Sequence, residues 1–235
     1  MRRLLVLPLY PQYSATTTGS VFDAVVAELR DWRSVPHLRL IADYFAEPAY
    51  IAALAQRIEA HRAQHGPADR LLFSFHGIPD RYFRNGDPYF CHCQATARLV
   101  AERLALPADA WAVSFQSRVG REKWLQPYTD ELLSRWARDG VRSVQAICPG
   151  FAVDCLETLG EIAIENRERF LHAGGERFEY IAALNDGDDH ASLLCALLLK
   201  HVQGWPPLAA GREADTTVAA LDARARRSQA MKGEV

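Results

Sequence analysis

Residues 70–79 read RLLFSFHGIP. After Arg70 the run is apolar except for Ser74, and it stops at His76-Gly77. A short, nearly continuous apolar run of this kind is the pattern of a strand buried on both faces. The same pattern recurs at 2–7 (RLLVLP), 37–42 (HLRLIA), 110–115 (AWAVSF), 143–149 (SVQAICP) and 178–184 (FEYIAAL). Longer amphipathic stretches lie between them and predict helices over 18–32, 47–64, 88–105, 125–139, 154–173 and 188–203. Thr18-Gly19-Ser20 precedes the first. Asp87-Pro88 fits a cap followed by proline at the first helical position. Gly174-Gly175 closes the fifth in the usual C-terminal way. Strand alternating with helix predicts an α/β fold, a parallel sheet with right-handed crossovers.

The segment 61–69, HRAQHGPAD, is polar and turn-rich, and it predicts a seam between two lobes. The expected division is 1–66, 67–205 and a tail at 206–235, partly helical with a disordered end. The first lobe then holds only two strands, too few for an independent sheet. Hydrophobic residues make up 49% and charged residues 24% of the 235, ordinary for a globular chain. A net charge of -2 gives a nucleic-acid partner no global electrostatic support. No run approaches the roughly 20 apolar residues of a membrane span, and MRRLLVLPLYPQYS lacks a signal peptide's long apolar region. A cytoplasmic protein is expected, with a peripheral membrane contact left open. Five scattered cysteines argue against a disulfide framework. Cys91-His92-Cys93 lacks a second ligand pair for zinc or a cluster and reads as small residues at a helix start.

Ligands in such sheets bind beyond the carboxyl ends of the strands. Four loops converge there: Tyr10 to Ser20, His76 to Pro79, Phe115 to Gly120, and Pro149-Gly150-Phe151. They bring a histidine, an arginine, hydroxyls and aromatics together. His76, freed by the following glycine, can accept a proton or bind a metal, or can simply bond the backbone. The hydroxyls of YPQYSATTTGS could cradle a phosphate at a helix N-terminus, yet neither a Walker lysine nor G-x-G-x-x-G is present. Beyond the last loop comes DCLETLGEIAIENRERF (154–170). Wound as an α-helix, it stacks Asp154, Glu157, Glu161, Glu165 and Glu168 within an arc of roughly 80°. Like charges at that spacing cost about 0.2–0.5 kcal/mol per pair. A solvated face, with Leu156, Leu159, Ala163 and Phe170 opposite, explains the polarity but not the lack of basic residues. A carboxylate row along a cleft would attract a divalent cation and raise its own pKa values by mutual repulsion. Glu157 and Glu161 are the candidate metal or proton-relay pair.

Five ordered segments, LPLYPQYSATTTGSV (7–21), SFHGIP (74–79), GDPYFCHCQATARLVAERL (86–104), SFQSRVGREKWLQPY (114–128) and PGFAVDCLETLGEI (149–162), resemble the ferrochelatase family. The match runs from about Leu4 to Trp205. The resemblance implies a chelatase-like fold of two Rossmann-like lobes, each a parallel sheet flanked by helices, with a porphyrin cleft between. It implies insertion of Fe2+ into protoporphyrin IX to give protoheme, the last step of heme biosynthesis. His76 matches the family's pocket histidine, Glu157 the glutamate facing it, and Glu161 the next acid on a path for metal or protons. Trp124 matches a pocket tryptophan and Tyr10 lies in the cleft loop. With Tyr13, Ser117 and Phe151 they make the expected substrate-binding set.

The resemblance also implies that a first-lobe portion of roughly 100 residues, a small domain's worth, is missing before Leu4. Cluster-bearing members carry a cysteine in the YPQYS loop. Here Ala15 stands there, so no iron–sulfur cluster and no required cofactor is expected, and iron enters as substrate. Two alternatives stand beside this reading. One is a porphyrin- or metal-binding fragment without turnover. The other is a cobalt chelatase for corrin precursors, which the D-C-L-E-T-L and S-F-H-G-I-P contexts disfavour. No oligomeric state follows from the sequence.

Overall fold

The computed structural model describes residues 2–205 and 218–232. Residues through His201 form one compact unit and those from Val202 another. In the first unit, β1 (Arg3–Val6) and β2 (His37–Leu40) pair in parallel, Leu4 opposite Leu38. Between them a π-helical turn, Ala15–Gly19, runs directly into α1 (Ser20–Arg30). Ser14, buried, caps that turn by accepting the Thr16 N–H at 3.1 Å. The helix therefore begins ahead of the predicted Thr18-Gly19-Ser20 start.

The second sheet is parallel, in the order β4-β3-β5-β6. Its strands are β3 (Arg70–His76), β4 (Trp111–Gln116), β5 (Ser143–Ile147) and β6 (Arg177–Ile181). From β3 the chain moves outward to β4, then jumps back across β3 to reach β5. That reversal opens a crevice beyond the carboxyl end of β3, where such folds hold ligands. The residue standing there is His76.

Side chains alternate across β3. Leu71, Phe73 and Phe75 join a core with Tyr50, Ile51, Leu54 and Ile58 of α2 (Pro48–His65). The same core takes Cys93, Ala97 and Val100 of α4 (Tyr89–Arg103) and Leu193 and Leu197 of α7 (Asp188–His201). Leu72 faces the other way, into a second core with Leu132 and Leu133 of α5 (Thr129–Arg138), Ile162, Phe170 and Phe178. His76 shares the parity of Leu72 and Ser74, so its face is that of the second core.

Three expectations change. All four strands of the second sheet hold buried residues, whereas β1 and β2 are at most half-buried. The physical reason is that a two-stranded sheet offers little surface for helices to cover, and α1 buries only Leu29. Helix α2 precedes the expected seam at 66/67, yet it packs against α4 and α7 over the second sheet. A short helix, α3 (Asp80–Arg84), was too brief to show a period. In the second unit α8 spans Val218–Lys232, and the expected disordered end lies outside the described residues.

The close of α6 (Arg167–His172) follows its sequence signal closely. Gly174 has φ 109°, its N–H bonds Leu171 O, and Gly175 N–H bonds Phe170 O at 3.0 Å, which is a Schellman motif. A Cβ on Gly175 would stand 2.1 Å from the Phe170 ring, itself fully buried. Gly175→Ala is therefore expected to destabilise the fold by about 1–3 kcal/mol through overpacking. Urea denaturation should show a lower midpoint at unchanged slope.

Candidate active site

β3 and β4 end in register, His76 opposite Gln116. The His76 Nδ1–H donates to Gly77 O at 2.6 Å, which leaves Nε2 as the acceptor of the neutral ring. The backbone must fold tightly to allow this. A Cβ on Gly77 would stand 2.9 Å from Gln116 O and 3.1 Å from the Trp124 ring. The His76 ring lies 6.4 Å from Trp124 and 6.5 Å from Phe151, centroid to centroid, and Tyr89 Oη donates to His76 O at 2.9 Å.

Gln116 ties this strand end to the acid segment. Its Nε2 donates to Glu157 O at 2.8 Å, while its Oε1 accepts the Ser74 hydroxyl at 2.7 Å. Ser74, Ser114 and Thr129 complete a buried hydroxyl chain behind it. Gln116 is a site residue that the sequence reading passed over. Its signal was its place beside His76 at the end of a neighbouring strand.

The acid segment is not an α-helix. Residues Glu157–Asn166 form a π-helix that passes into α6. The wider turn, closed in part by Asn166 Nδ2 donating to Glu161 O at 2.8 Å, breaks the 100° geometry on which a single stripe rested. The five acids then separate. Asp154 accepts hydrogen bonds from Tyr180 Oη at 2.6 Å, Asn185 Nδ2 at 2.9 Å and Thr158 Oγ1 at 3.1 Å. Glu161 accepts the Ser117 N–H at 2.7 Å and its hydroxyl at 2.5 Å. Glu157, Glu161 and Glu165 line one cavity, and Glu168 does not. The expected apolar back of the helix also differs. Leu156 is 82% and Leu159 48% exposed, and the inward residues are Ile162 and Phe170.

For Glu157 and Asp154, hydrogen-bond donors rather than mutual repulsion set the direction of the shift. The Glu157 pKa is lowered, first by the Cys155 thiol donating at 3.0 Å, then by its own backbone N–H and by His76. Cys155 is correspondingly held protonated by burial and by that carboxylate. For Asp154, burial opposes ionisation, but the donors from Asn185, Tyr180, Ala183 and Thr158 together outweigh it. A depressed folded pKa contributes stability above the unfolded value, roughly pH 4, and loses it as pH falls through the folded value. Asp154→Asn should lower the denaturation midpoint at pH 7, and the difference from the parent should narrow as the pH falls below about 4.

Two cavities meet at His76 and Glu157, which line both. One, of about 540 Å³, is polar and continues past Ser117 and Glu161 to Glu165, Asn166 and Asp130. Arg118 and Arg169 stand at it too, paired with Asp130 at 3.1 and 3.8 Å. Positive charge thus reaches this cavity from another loop, by Arg118, and from the end of the acid segment itself, by Arg169. The other cavity, of about 560 Å³, has mainly apolar walls that include Tyr10, Ile78, Trp124 and Phe151, with Gln12, Thr16 and Thr17 among its polar edges. Of the expected substrate set, Tyr10, Trp124 and Phe151 share this apolar cavity. Ser117 lies on the polar one instead, holding Glu161. Tyr13 lines neither, and its backbone N–H donates to His92 Nδ1 at 3.2 Å.

The fold is of the chelatase type, as the likeness to one solved structure shows. SirB from Bacillus subtilis, solved with Fe3+, superposes with a TM-score of 0.58 at 14% identity, over 83% of this chain and 70% of that one. The family is narrower: the ferrochelatase model matches residues 1–202, and the chain belongs to the ferrochelatase family. The ferrochelatase of Nitrosococcus oceani is 57% identical over 215 residues, 91% of this chain and 58% of the relative. That of Hydrogenovibrio crunogenus is 55% identical over 88% of this chain and 54% of its own length. That of Thioalkalivibrio sulfidiphilus is 50% identical over 98% of this chain and 62% of its own. The chain thus spans little more than half the length of these curated relatives.

Proposed function

We propose that this chain inserts ferrous iron into protoporphyrin IX to give protoheme. The observation that carries the reading is the junction: His76 and Glu157 stand where an apolar cavity meets an acid-lined one. A flat, largely apolar macrocycle suits the first. A dication suits the second, with Glu165 and Glu161 leading inward to Glu157. Metallation replaces two pyrrole N–H protons with one Fe2+. His76 Nε2 and the ionised Glu157 are the acceptors for those two protons. Oxygen and imidazole ligands bind iron weakly enough to release it to four pyrrole nitrogens. The Cys155 thiol donates to Glu157 at 3.0 Å.

In this reading iron is a substrate and no resident cofactor or iron–sulfur cluster is needed, Ala15 standing where cluster-bearing relatives carry a loop cysteine. The reading needs no membrane span, and no helix among the described residues is long and apolar enough to cross one. Contact with a membrane surface would be peripheral. Nucleic acid has no place in it.

The length of the chain relative to its relatives favours a second reading, a porphyrin-binding portion without turnover. One experiment separates them. The purified chain is mixed anaerobically with protoporphyrin IX and ferrous iron, and loss of porphyrin fluorescence is followed. Insertion is the expected result. Binding without insertion would select the second reading, and no binding would overturn both.

A further inference from the structure

Asp87 is a carboxylate that the mechanism does not use. It lines neither cavity, yet it joins the two walls of the apolar one. Its Oδ2 accepts the Ala15 N–H at 2.8 Å and the Ser14 hydroxyl at 2.9 Å. Its Oδ1 accepts the Tyr89 N–H at 3.0 Å. Ser14 and Ala15 open the π-helical turn whose Thr16 and Thr17 edge the cavity. Tyr89 is buried, and its hydroxyl holds the His76 carbonyl at 2.9 Å. One carboxylate therefore links the hydroxyl-bearing wall, through Tyr89, to the strand end that carries the imidazole.

We propose that Asp87 is a positioning residue that fixes the spacing between the 12–19 wall and the His76 wall, and so the fit of the macrocycle. The link to the macrocycle rests on the function proposed above; the clamp itself rests on the hydrogen bonds alone. The sequence signal was read only as a helix cap. In the structure Pro88 is the N-cap and α4 begins at Tyr89, whose N–H the Oδ1 accepts, while the Oδ2 bonds reach 72 and 73 residues back along the chain.

Asp87→Asn tests it. An amide of the same shape keeps one acceptor and turns the other into a donor, so it cannot serve Ala15 N–H and Tyr89 N–H together. Hydrogen bonds to a charged group of this kind correspond to about a tenfold change in affinity. The expected result is a protoporphyrin IX dissociation constant, per folded molecule, raised about tenfold in a fluorescence titration, together with a lowered unfolding midpoint. Backbone hydrogen exchange should quicken within 12–19 and stay unchanged in the second sheet. Ser14→Ala, which removes the hydroxyl's bond to Asp87 together with its cap on the Thr16 N–H, should shift the affinity in the same direction. Glu102→Gln, on the far turn of α4, should give none.

Unchanged porphyrin affinity in Asp87→Asn, or unchanged exchange over 12–19, would overturn the proposal. So would uniform loss of stability with affinity per folded molecule intact, the mark of a purely structural role. Should the parent chain bind no porphyrin, the substrate reading fails and the exchange measurement alone decides the clamp.

Discussion

Replacing His76 with alanine is expected to slow iron insertion by at least about a hundredfold, the usual contribution of a positioned general base, while porphyrin still binds. The argument rests on what the side chain does and does not hold. Its one hydrogen bond is local, Nδ1–H to the next residue's carbonyl. Its ring is half-buried at a strand end, outside both cores. Removing it leaves Phe75, Gln116 and the Tyr89 bond to the His76 backbone in place, so the walls of the apolar cavity persist. What disappears is the Nε2 lone pair at the junction of the two cavities. Stopped fluorescence with saturating porphyrin separates the two effects. A rate within threefold of the parent would remove His76 from the chemistry, and lost porphyrin binding would make it a wall residue.

The second sheet was legible because its strands obey one strong rule. A parallel strand covered on both faces reads as a short, nearly continuous apolar run, and RLLFSFH, WAVSFQ and SVQAI have that pattern, their buried polar residues being hydrogen-bonded. The same rule overreached at RLLV and HLRL. Those strands look alike in sequence but are only half-covered, because coverage depends on neighbours that a local pattern does not contain. The position of His76 was legible for a further reason: an apolar run ending in His-Gly at a strand's carboxyl end lies at the crevice whatever the details. Gln116 was hidden in plain view one strand away, since register between strands is a long-range property. At 3.6 residues per turn the acid segment forms one stripe, and the wider π-helical turn breaks it. Nothing in ETLGEIAIEN announces a π-helix, which is set by tertiary ties such as Gln116 to Glu157 O. Those ties separated Asp154 and Glu168 from the three acids that share a cavity.

That separation gives the acids unequal expected weights. Glu157→Gln should abolish measurable insertion, a loss of about a hundredfold or more, whereas Glu168→Gln should change it less than twofold. Both substitutions remove one negative charge from the same 12-residue stretch of chain. A model in which the stripe acts only through its summed field predicts similar effects for the two. Geometry predicts otherwise. Glu157 lines both cavities with His76, and its carboxylate stays ionised below the usual carboxylate range because the Cys155 thiol donates to it. It is thus present as a charged acceptor across the neutral range, and an amide there can neither take a proton nor offset a dication's charge. Glu168 lies beyond the π-helix in the first turn of α6, outside the cavity lining. Glu161→Gln should fall between them, since its carboxylate already spends two acceptor positions on Ser117. Initial rates against ferrous iron concentration at fixed porphyrin give the ordering. Loss at Glu157 should appear in kcat, loss at Glu161 mainly in the KM for iron. Equal effects at 157 and 168 would return the acid segment to a solvated face that acts only through its net charge.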